Sequence, residues 1–297
     1  MSGLLDGRVG AAGDLEADYA RCAAITRAAS SNFYYAFMLL PRERRRALCA
    51  VYAFCRYVDD IADGGIAGDP AALLERWREE LDRVYRGSSN RPISRALADA
   101  VRVFSIPQRY FHEVIDGVEL DLTRKRYATF DDLRRYCYLV ASAVGLICIE
   151  IFGYRNPSAK AYAERLGLAF QLTNILRDVG EDAARDRIYL PLEDLARFGV
   201  SEEQILRTAP PPAFTQLMAF EADRARQFYR EAEAALAPED RSSMVAAEAM
   251  RLIYAALLDE IAKSGYRVFG QRLRVSTPRK LYLVGRAWAN TRLARAA

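Results

Sequence analysis

Histidine is almost missing from this chain of 297 residues, because His112 is the only one. Metal sites that need two or more histidines are therefore excluded, and a Ser-His-Asp triad would have to use His112. The five cysteines form no C-x-x-C pair and no cluster with the histidine, so we expect buried thiols in a reducing compartment. A G-x-G-x-x-G fingerprint for dinucleotides is also missing.

Long apolar runs are missing as well. The most apolar stretch, 139–152, contains Glu150 and is shorter than the roughly 20 residues that cross a bilayer as a helix. Residues 1–19 hold four acidic side chains and no apolar signal-peptide core. We therefore expect a cytoplasmic protein without a transmembrane anchor, and a peripheral contact with the inner face of the membrane stays open.

Lysine is scarce, with four residues against 39 arginines. Biased codon usage explains this ratio as well as a need for arginine forks that bind phosphate or carboxylate, and composition does not decide between them. The formal net charge of +4 is too mild for a protein that binds nucleic acid. The hydrophobic content of 52% suits a folded core and excludes disorder as a description of the whole chain.

Apolar residues recur at helical spacing along almost the whole chain, whereas the alternation typical of strands is scarce. The Gly, Pro and Asn clusters between the segments are too short to be interdomain linkers. The sequence therefore predicts an all-α helical bundle with a single domain over 1–297 and a flexible start at 1–14. The predicted helices are 15–26, 42–62, 70–85, 93–104, 107–122, 130–152, 157–182, 201–207, 213–236, 241–269 and 278–292.

The first candidate site is a D-D-x-x-D motif at the end of an apolar helix. Asp59 and Asp63 are four residues apart, so their carboxylates share one helix face and repel each other. With Asp60 they lie at the negative end of the helix dipole, where acids are disfavoured. A bound cation would offset both penalties, and a solvated helix end is an equally good explanation for one such motif.

A second acidic stripe makes the cation hypothesis stronger. Asn174, Asp178 and Asp182 follow one another at four-residue spacing on another apolar helix, without the lysines that usually interleave such acids. If the two stripes face each other, they create an oxygen-only site, which suits Mg²⁺ better than Zn²⁺. Arg56 and Arg177 stand beside the acids, where arginine and Mg²⁺ together could hold a diphosphate.

An apolar interior beside a diphosphate site indicates one kind of chemistry. Ionisation of an allylic diphosphate needs metal ions for the leaving group and a dry pocket for the cation. Aromatic ring faces stabilise such a cation, although each aromatic taken singly is more often plain core. The aromatics set among small or apolar residues are Phe33, Phe37, Tyr52, Tyr136, Tyr189 and Tyr254.

Three ordered motifs carry a resemblance to a known family. They are Tyr52-Ala53-Phe54-Cys55-Arg56 before Asp59-Asp60-Ile61-Ala62-Asp63, then Tyr136-Cys137-Tyr138 with Val140-Ala141 and Val144-Gly145, and finally Gln171 to Asp182 running on to Arg187-Ile188-Tyr189-Leu190-Pro191. These motifs resemble the squalene/phytoene synthases, which join two prenyl diphosphates head to head. The resemblance covers nearly the whole chain, from about Ser30 to Lys280.

This resemblance implies an isoprenoid synthase fold with a central apolar cavity and several Mg²⁺ ions, which Mn²⁺ can replace. The implied metal ligands are Asp59, Asp63, Asp178 and Asp182, with Asn174, Asp60 and Glu181 beside them. The implied substrate-binding residues are Ser30, Phe33, Phe37, Arg56, Gln171, Asn174, Arg177, Arg187 and Arg272. The implied catalytic tyrosines are Tyr52, Tyr136, Tyr189 and Tyr254, with released diphosphate as the other candidate base.

The runs 140–154 and 190–200 look most like the bacterial presqualene diphosphate synthases of hopanoid pathways. We therefore expect two farnesyl diphosphates to give presqualene diphosphate and diphosphate, without NADPH, ahead of enzymes that form squalene. The alternative is a phytoene synthase, which takes two geranylgeranyl diphosphates, or a dehydrosqualene synthase in carotenoid biosynthesis. A prenyl chain elongase, a cyclase and a non-catalytic helical scaffold are the remaining hypotheses.

Overall fold

The computed structural model describes residues 14–28, 32–270 and 272–296, which form α-helices joined by short loops. The helices are α1 (Leu15–Ala28), α2 (Asn32–Phe37), α3 (Arg42–Ala62), α4 (Pro70–Tyr85), α5 (Pro92–Phe104), α6 (Gln108–Thr123), α7 (Phe130–Cys137), α8 (Ala143–Phe152), α9 (Ser158–Ala183), α10 (Leu192–Phe198), α11 (Glu202–Leu206), α12 (Ala213–Ala235), α13 (Val245–Lys263) and α14 (Thr277–Ala296). No strand occurs in these ranges, and one isolated bridge joins Arg126 to Ile188. The all-α prediction is confirmed, whereas the flexible start lies almost entirely outside the described residues.

Two short helices are absent from the sequence prediction. The α2 sequence, Asn32–Phe37, has six residues and four aromatics, which is too short to show a 3.6-residue period. The seven residues of α10, Leu192–Phe198, follow Pro191 and end at Gly199, whose φ of 67° closes the helix in the left-handed region. Both helices are held by packing against neighbours rather than by an amphipathic pattern of their own.

The predicted helix over 130–152 is interrupted in its middle. A π-helical turn, Tyr138–Ser142, separates α7 from α8. The wider turn shifts the helix register by one residue, so the residues before and after it present different faces. The interruption lies inside the motif that carries the family resemblance, and single π-turns of this kind are frequent at functional sites.

Close helix packing brings α8 and α9 together. A Cβ atom on Gly167 would lie 2.6 Å from Ser142 Cα, and one on Gly145 would lie 2.9 Å from the Ala163 carbonyl oxygen. Glycine is therefore required at both positions for the backbones to approach this closely. The Ser142 hydroxyl donates to the Glu164 carbonyl at 2.7 Å across the same crossing. This contact fixes the position of α9, which also packs along α12 and α13.

The helical run Phe130–Phe152 is long and apolar enough to cross a membrane, with a mean hydropathy of 1.6 in its most apolar window. Half of that window is buried inside the bundle. Part of the remainder, including Val140, Val144 and Cys148, lines an internal cavity. Packing on one side and the cavity on the other account for the apolar composition of its second half, as expected of a core helix.

Candidate active site

The two acidic stripes come from different helices and meet at one end of the bundle. Asp59 and Asp63 lie at the carboxyl end of α3, and Asp178 and Asp182 lie at the carboxyl end of α9. Arg187, just after α9, reaches Asp63 on α3 with Nη1 3.8 Å from Oδ1. The stripes therefore face each other, as the sequence analysis requires for a shared cation site.

A further carboxylate, Asp121 near the end of α6, lies between the stripes and is absent from the predicted site. The Tyr136 hydroxyl donates to Asp121 Oδ2 at 2.9 Å, and the Tyr189 hydroxyl donates to Oδ1 at 2.7 Å. Arg187 donates to the Asp121 backbone carbonyl at 3.2 Å. No motif spacing marks Asp121 in the sequence, because it meets the other acids through the fold alone.

Two carboxyl groups of the site, those of Asp59 and Asp182, have raised pKa values. Surrounding protein desolvates the Asp59 carboxyl and raises its pKa to about 7; Arg56 opposes this shift and Asp121 adds to it. Desolvation likewise raises the pKa of Asp182 to about 7, with a further contribution from Asp178. Asp59 faces the cavity and is accessible to small molecules, so its raised pKa reflects the dense protein around it and the neighbouring acids.

Arginines surround the acids on several sides. Arg56 pairs with Asp60 at 2.6 Å, and Arg185 pairs with Asp63 at 3.0 Å. Arg177, predicted to bind substrate, forms a bidentate pair with the adjacent Asp178. The remaining contacts join Arg272 to Asp178 at 3.5 Å and to Glu181 at 3.6 Å. These guanidinium groups are held at the acidic end, where a diphosphate would find both cations and arginine donors.

An apolar cavity of about 300 Å³ begins at the acids and runs into the bundle. Arg56, Asp59 and Asn174 line its acidic end. The apolar walls come from α2, α3, α8, α9 and α13, and they include Phe33, Phe37, Leu48, Val51, Ile149, Phe152, Leu166, Phe170 and Met250. A charged end joined to a long apolar interior matches a prenyl diphosphate, which has a diphosphate head and a hydrocarbon tail.

The four predicted tyrosines fall into two groups with different positions. Tyr52 and Tyr254 line the cavity, where their ring centroids lie 6.1 and 6.5 Å from that of Phe33. Tyr136 and Tyr189 stack at 5.3 Å and are buried around Asp121. The first pair offers ring faces to a cation in the cavity, and the second pair orients a carboxylate.

An unsatisfied polar atom supports the fit of a cation. Asn174 Oδ1 is buried and has no hydrogen-bond partner, although it lies on the acidic stripe and its residue lines the cavity. A buried amide oxygen without a partner is costly unless a ligand completes it. Carboxylate and amide oxygens are the donors that Mg²⁺ prefers, so the residues present fit this metal.

The candidate ligands for such a metal lie on several helices rather than in one preformed cluster. Within the described part of the chain, no group of three or more His, Cys, Asp or Glu side chains is arranged to hold a metal by itself. Such an open arrangement is typical of Mg²⁺, which takes one or two carboxylates and completes its shell with water and substrate phosphate. Asp60 and Glu181 are paired with arginines, and so are Asp63 and Asp178. Arginine pairing therefore does not separate Asp60 and Glu181 from the other ligand candidates.

The other residues singled out in the sequence are Phe37, Gln171, Ser30 and His112. Phe37 and Gln171 line the cavity. Ser30 lies outside the described residues. His112 interacts with Gln108 at 3.1 Å on α6, and it does not line the cavity.

Comparison with known proteins agrees with this geometry. Residues 26–279 match the family model described as squalene/phytoene synthase. The phytoene synthase of Arthrospira platensis is 39% identical over 280 residues, covering 89% of this chain and 90% of that protein. The 15-cis-phytoene synthase of Synechocystis sp. is 37% identical, covering 92% of this chain and 85% of that protein.

Two solved structures share the fold. A dehydrosqualene synthase in complex with a ligand superposes with a TM-score of 0.84 at 32% identity, covering 94% of this chain and 98% of that one. The squalene synthase HpnC from Alicyclobacillus acidocaldarius gives a TM-score of 0.78 at 32% identity, covering 86% and 97%. With its isoprenoid synthase fold, the chain belongs to the squalene/phytoene synthase family of head-to-head prenyltransferases.

Proposed function

We propose that the protein condenses two molecules of geranylgeranyl diphosphate head to head on the way to phytoene. The observation that carries the reaction class is the meeting of the two acidic stripes and Asp121 at the charged end of one apolar cavity. The choice of a C20 prenyl substrate is supported by relatives at 37–39% identity that are named phytoene synthases. The predicted condensation of farnesyl diphosphate is supported by structures at 32% identity, named for dehydrosqualene and squalene, so we place it second.

The side chains divide the work between the two ends of the substrate. Mg²⁺ bound by Asp59, Asp178 and Asp182 would neutralise the diphosphate that leaves. Arg56 and Arg187 add guanidinium donors at the same end. The aromatic and aliphatic wall excludes water, so the allylic cation meets the second prenyl double bond instead of being hydrolysed.

In this condensation, C1 of the allylic cation is attacked by the double bond of the second prenyl group, and loss of one proton closes a cyclopropane ring. Released diphosphate accepts that proton. Desolvation and the charge of Asp121 hold the pKa of Tyr136 and of Tyr189 well above the usual tyrosine value. Their hydroxyl groups therefore stay protonated and already donate to Asp121. A diphosphate anion held beside the cation is the better proton acceptor, and the two tyrosines position Asp121.

A competition experiment tests the proposal. Purified protein is incubated with Mg²⁺ and equal amounts of farnesyl and geranylgeranyl diphosphate, without NADPH, and the products are identified by mass spectrometry. We expect C40 products to exceed C30 products by about tenfold or more. This ratio corresponds to about 1.4 kcal/mol of discrimination between the two substrates. A C30 diphosphate as the main product would instead restore the presqualene assignment.

Variants separate catalysis from folding in the same assay. We expect Asp59→Asn and Asp178→Asn to abolish turnover while circular dichroism still shows a helical protein. Asp116→Asn removes an exposed acid on α6 that pairs with Arg78 at 2.7 Å, and it serves as the matched control with unchanged turnover. Turnover that survives both active-site changes would contradict the assignment of these acids to the site. No prenyl product from the wild type would favour the scaffold hypothesis, and consumption of isopentenyl diphosphate would favour a chain elongase.

A further inference from the structure

The end of the chain has a charge distribution unlike that of the rest. Residues 277–297 hold five Lys and Arg residues and no Asp or Glu, so this segment has a charge of +5 in a chain whose net charge is +4. The residues before it therefore sum to −1. Such a concentration of one sign on one segment creates a local field that attracts anionic surfaces.

The same segment exposes large apolar side chains. Leu281, Tyr282 and Trp288 on α14 are 55%, 66% and 45% exposed, whereas Leu283, Val284 and Ala287 of the same helix are buried. Leu281 and Trp288 are seven residues apart and share one helix face, with Tyr282 at its edge. We call these three residues the α14 apolar face; it holds three of the five large apolar side chains that stand exposed in the described part of the chain.

The helix that carries this face packs against helices that line the cavity. Lys280 lies over the ring of Tyr35 on α2 at 5.6 Å, and Arg279 forms an ion pair with Glu260 on α13. The same helix α2 contributes Phe33 and Phe37 to the cavity lining. Met38, directly after α2, is 53% exposed. The apolar face, the basic side chains and one cavity wall therefore belong to one packed unit of α2, α13 and α14.

We propose that the α14 apolar face and its basic neighbours dock the protein onto an anionic lipid bilayer. An aromatic and aliphatic face on a basic helix matches the boundary between acyl chains and negative head groups. The positive charge around α14 favours an anionic membrane over a neutral protein surface as the partner. The benefit of such docking rests on the proposed function, because the hydrocarbon product dissolves in lipid rather than in water and the prenyl diphosphate substrates are amphiphiles.

Vesicle binding without substrate tests the docking independently of the reaction. The protein is sedimented with phosphatidylcholine vesicles that contain or lack phosphatidylglycerol. We expect about tenfold stronger binding or more to the anionic vesicles. The charge variant Arg286→Gln should weaken this binding roughly fivefold, as expected for one basic residue at a charged surface. Equal binding to both vesicle types, or none to the anionic vesicles, would overturn the proposal.

A matched pair of variants tests the apolar part of the surface. Leu281→Ser combined with Tyr282→Ser should reduce binding to anionic vesicles by about tenfold or more, because two exposed apolar side chains are lost. Val103→Ser is the control, since Val103 is 37% exposed on α5. Unchanged binding of the double variant contradicts the proposal. Dimers in the wild type that become monomers in the double variant would identify the face as a contact between copies of this chain.

The two tryptophans provide a local readout. Trp288 is 45% exposed on α14, and Trp77 is 3% exposed in the core. We expect the fluorescence of the wild type to shift to shorter wavelength on anionic vesicles, and this shift should disappear in Trp288→Phe. A shift that persists in Trp288→Phe would place the bilayer contact elsewhere. If the vesicle assays succeed and no prenyl product forms, the docking stands and the proposed function fails.

Discussion

Asp121 shows what a single residue can contribute to the site from an unexpected place. It lies about 60 residues from both acidic stripes in sequence, yet it raises the pKa of Asp59 and of Asp182. Its own pKa is raised by desolvation, against the effect of the hydroxyl groups of Tyr189 and Tyr136. The acids that repel each other here are therefore three groups from three helices, which strengthens the demand for a cation.

Replacing Asp121 tests its positioning role. In Asp121→Asn the side chain keeps its shape, but one of the two tyrosine hydroxyl groups then faces an amide NH₂ in place of a carboxylate oxygen. We expect kcat to fall between about ten- and a hundredfold and the Mg²⁺ concentration needed for half-maximal rate to rise, as for other residues that orient metal ligands. Steady-state kinetics over a Mg²⁺ series measures both.

The control for this change is Asp116→Asn on the same helix, whose acid is exposed and paired with Arg78. If Asp121→Asn keeps kcat within about twofold of the wild type and of this control, Asp121 does not act on the site. Circular dichroism of both variants excludes a loss of fold as the cause of any lower rate.

Residue identities in the site were predictable from sequence only where a motif existed. Asp59, Asp63, Asp178 and Asp182 follow from four-residue spacing on apolar helices, and the structure brings the two helix ends together. The division of the tyrosines into a cavity pair and a pair around Asp121 depends on which helix faces which, and no local pattern encodes that. The positions of Tyr52 and Tyr136 could therefore be suspected from the family motifs but not distinguished.

At the scale of helices, periodicity predicted the long segments and missed what packing decides. The helices α3, α4 and α9 lie close to their predicted bounds, because α3 and α4 each bury an apolar face and α9 is packed on several sides by α8, α12 and α13. The short helix α2 and the π-turn Tyr138–Ser142 have no such pattern, and both lie beside the cavity. Local sequence patterns predict the backbone least well beside the cavity, where packing around the site determines the conformation.

The crossing of α8 and α9 offers a test at this scale. In Gly167→Ala the new methyl group would overlap the Ser142 backbone, so the helices must separate. We expect the free energy of unfolding to fall by about 1–3 kcal/mol, the usual range for overpacked cores. Urea unfolding followed by circular dichroism measures the change.

Gly285→Ala is the matched control for this glycine. Its Cβ would meet no atom within 4 Å on the exposed side of α14, so alanine should stabilise the helix by up to about 1 kcal/mol. Equal effects of the two substitutions would mean that the close approach of α8 and α9 does not limit stability.

For the whole molecule, a buried charge cluster predicts how stability depends on pH. Glu221 and Asp194 are both buried and share Arg224, whose Nη1 lies 2.7 Å from a Glu221 oxygen and 2.8 Å from Asp194. Burial raises the pKa of Glu221 from 4.5 to about 8, with Asp194 adding to the shift and Arg224 opposing it. Between these values the folded protein holds a proton that the unfolded chain has lost.

Folding stability should therefore fall as the pH rises from about 5 to about 8, by at most about 1.4 kcal/mol per pH unit from this group. Its contribution is fully present below the pKa of the unfolded chain and is lost above the folded pKa. Asp59 and Asp182, whose pKa values are raised to about 7, add to the slope in the same pH range. Glu221→Gln should therefore reduce the slope without removing it, whereas Asp223→Asn, an exposed acid on the same helix, should leave it unchanged. Urea unfolding at a series of pH values measures the slopes, and identical slopes in all three proteins would contradict the assignment.

In the proposed function, one helix, α9, serves both ends of the substrate. Its cavity residues run from Tyr162 to Asn174, a span of about 18 Å at 1.5 Å per residue, and the acids proposed to bind metal follow directly. The position of the diphosphate therefore determines how far along the rigid helix α9 a prenyl tail of a given length reaches. Substitutions at the end of the cavity far from the acids can change the accepted tail length without touching the reacting groups. A family built in this way can diversify its products while its chemistry stays the same.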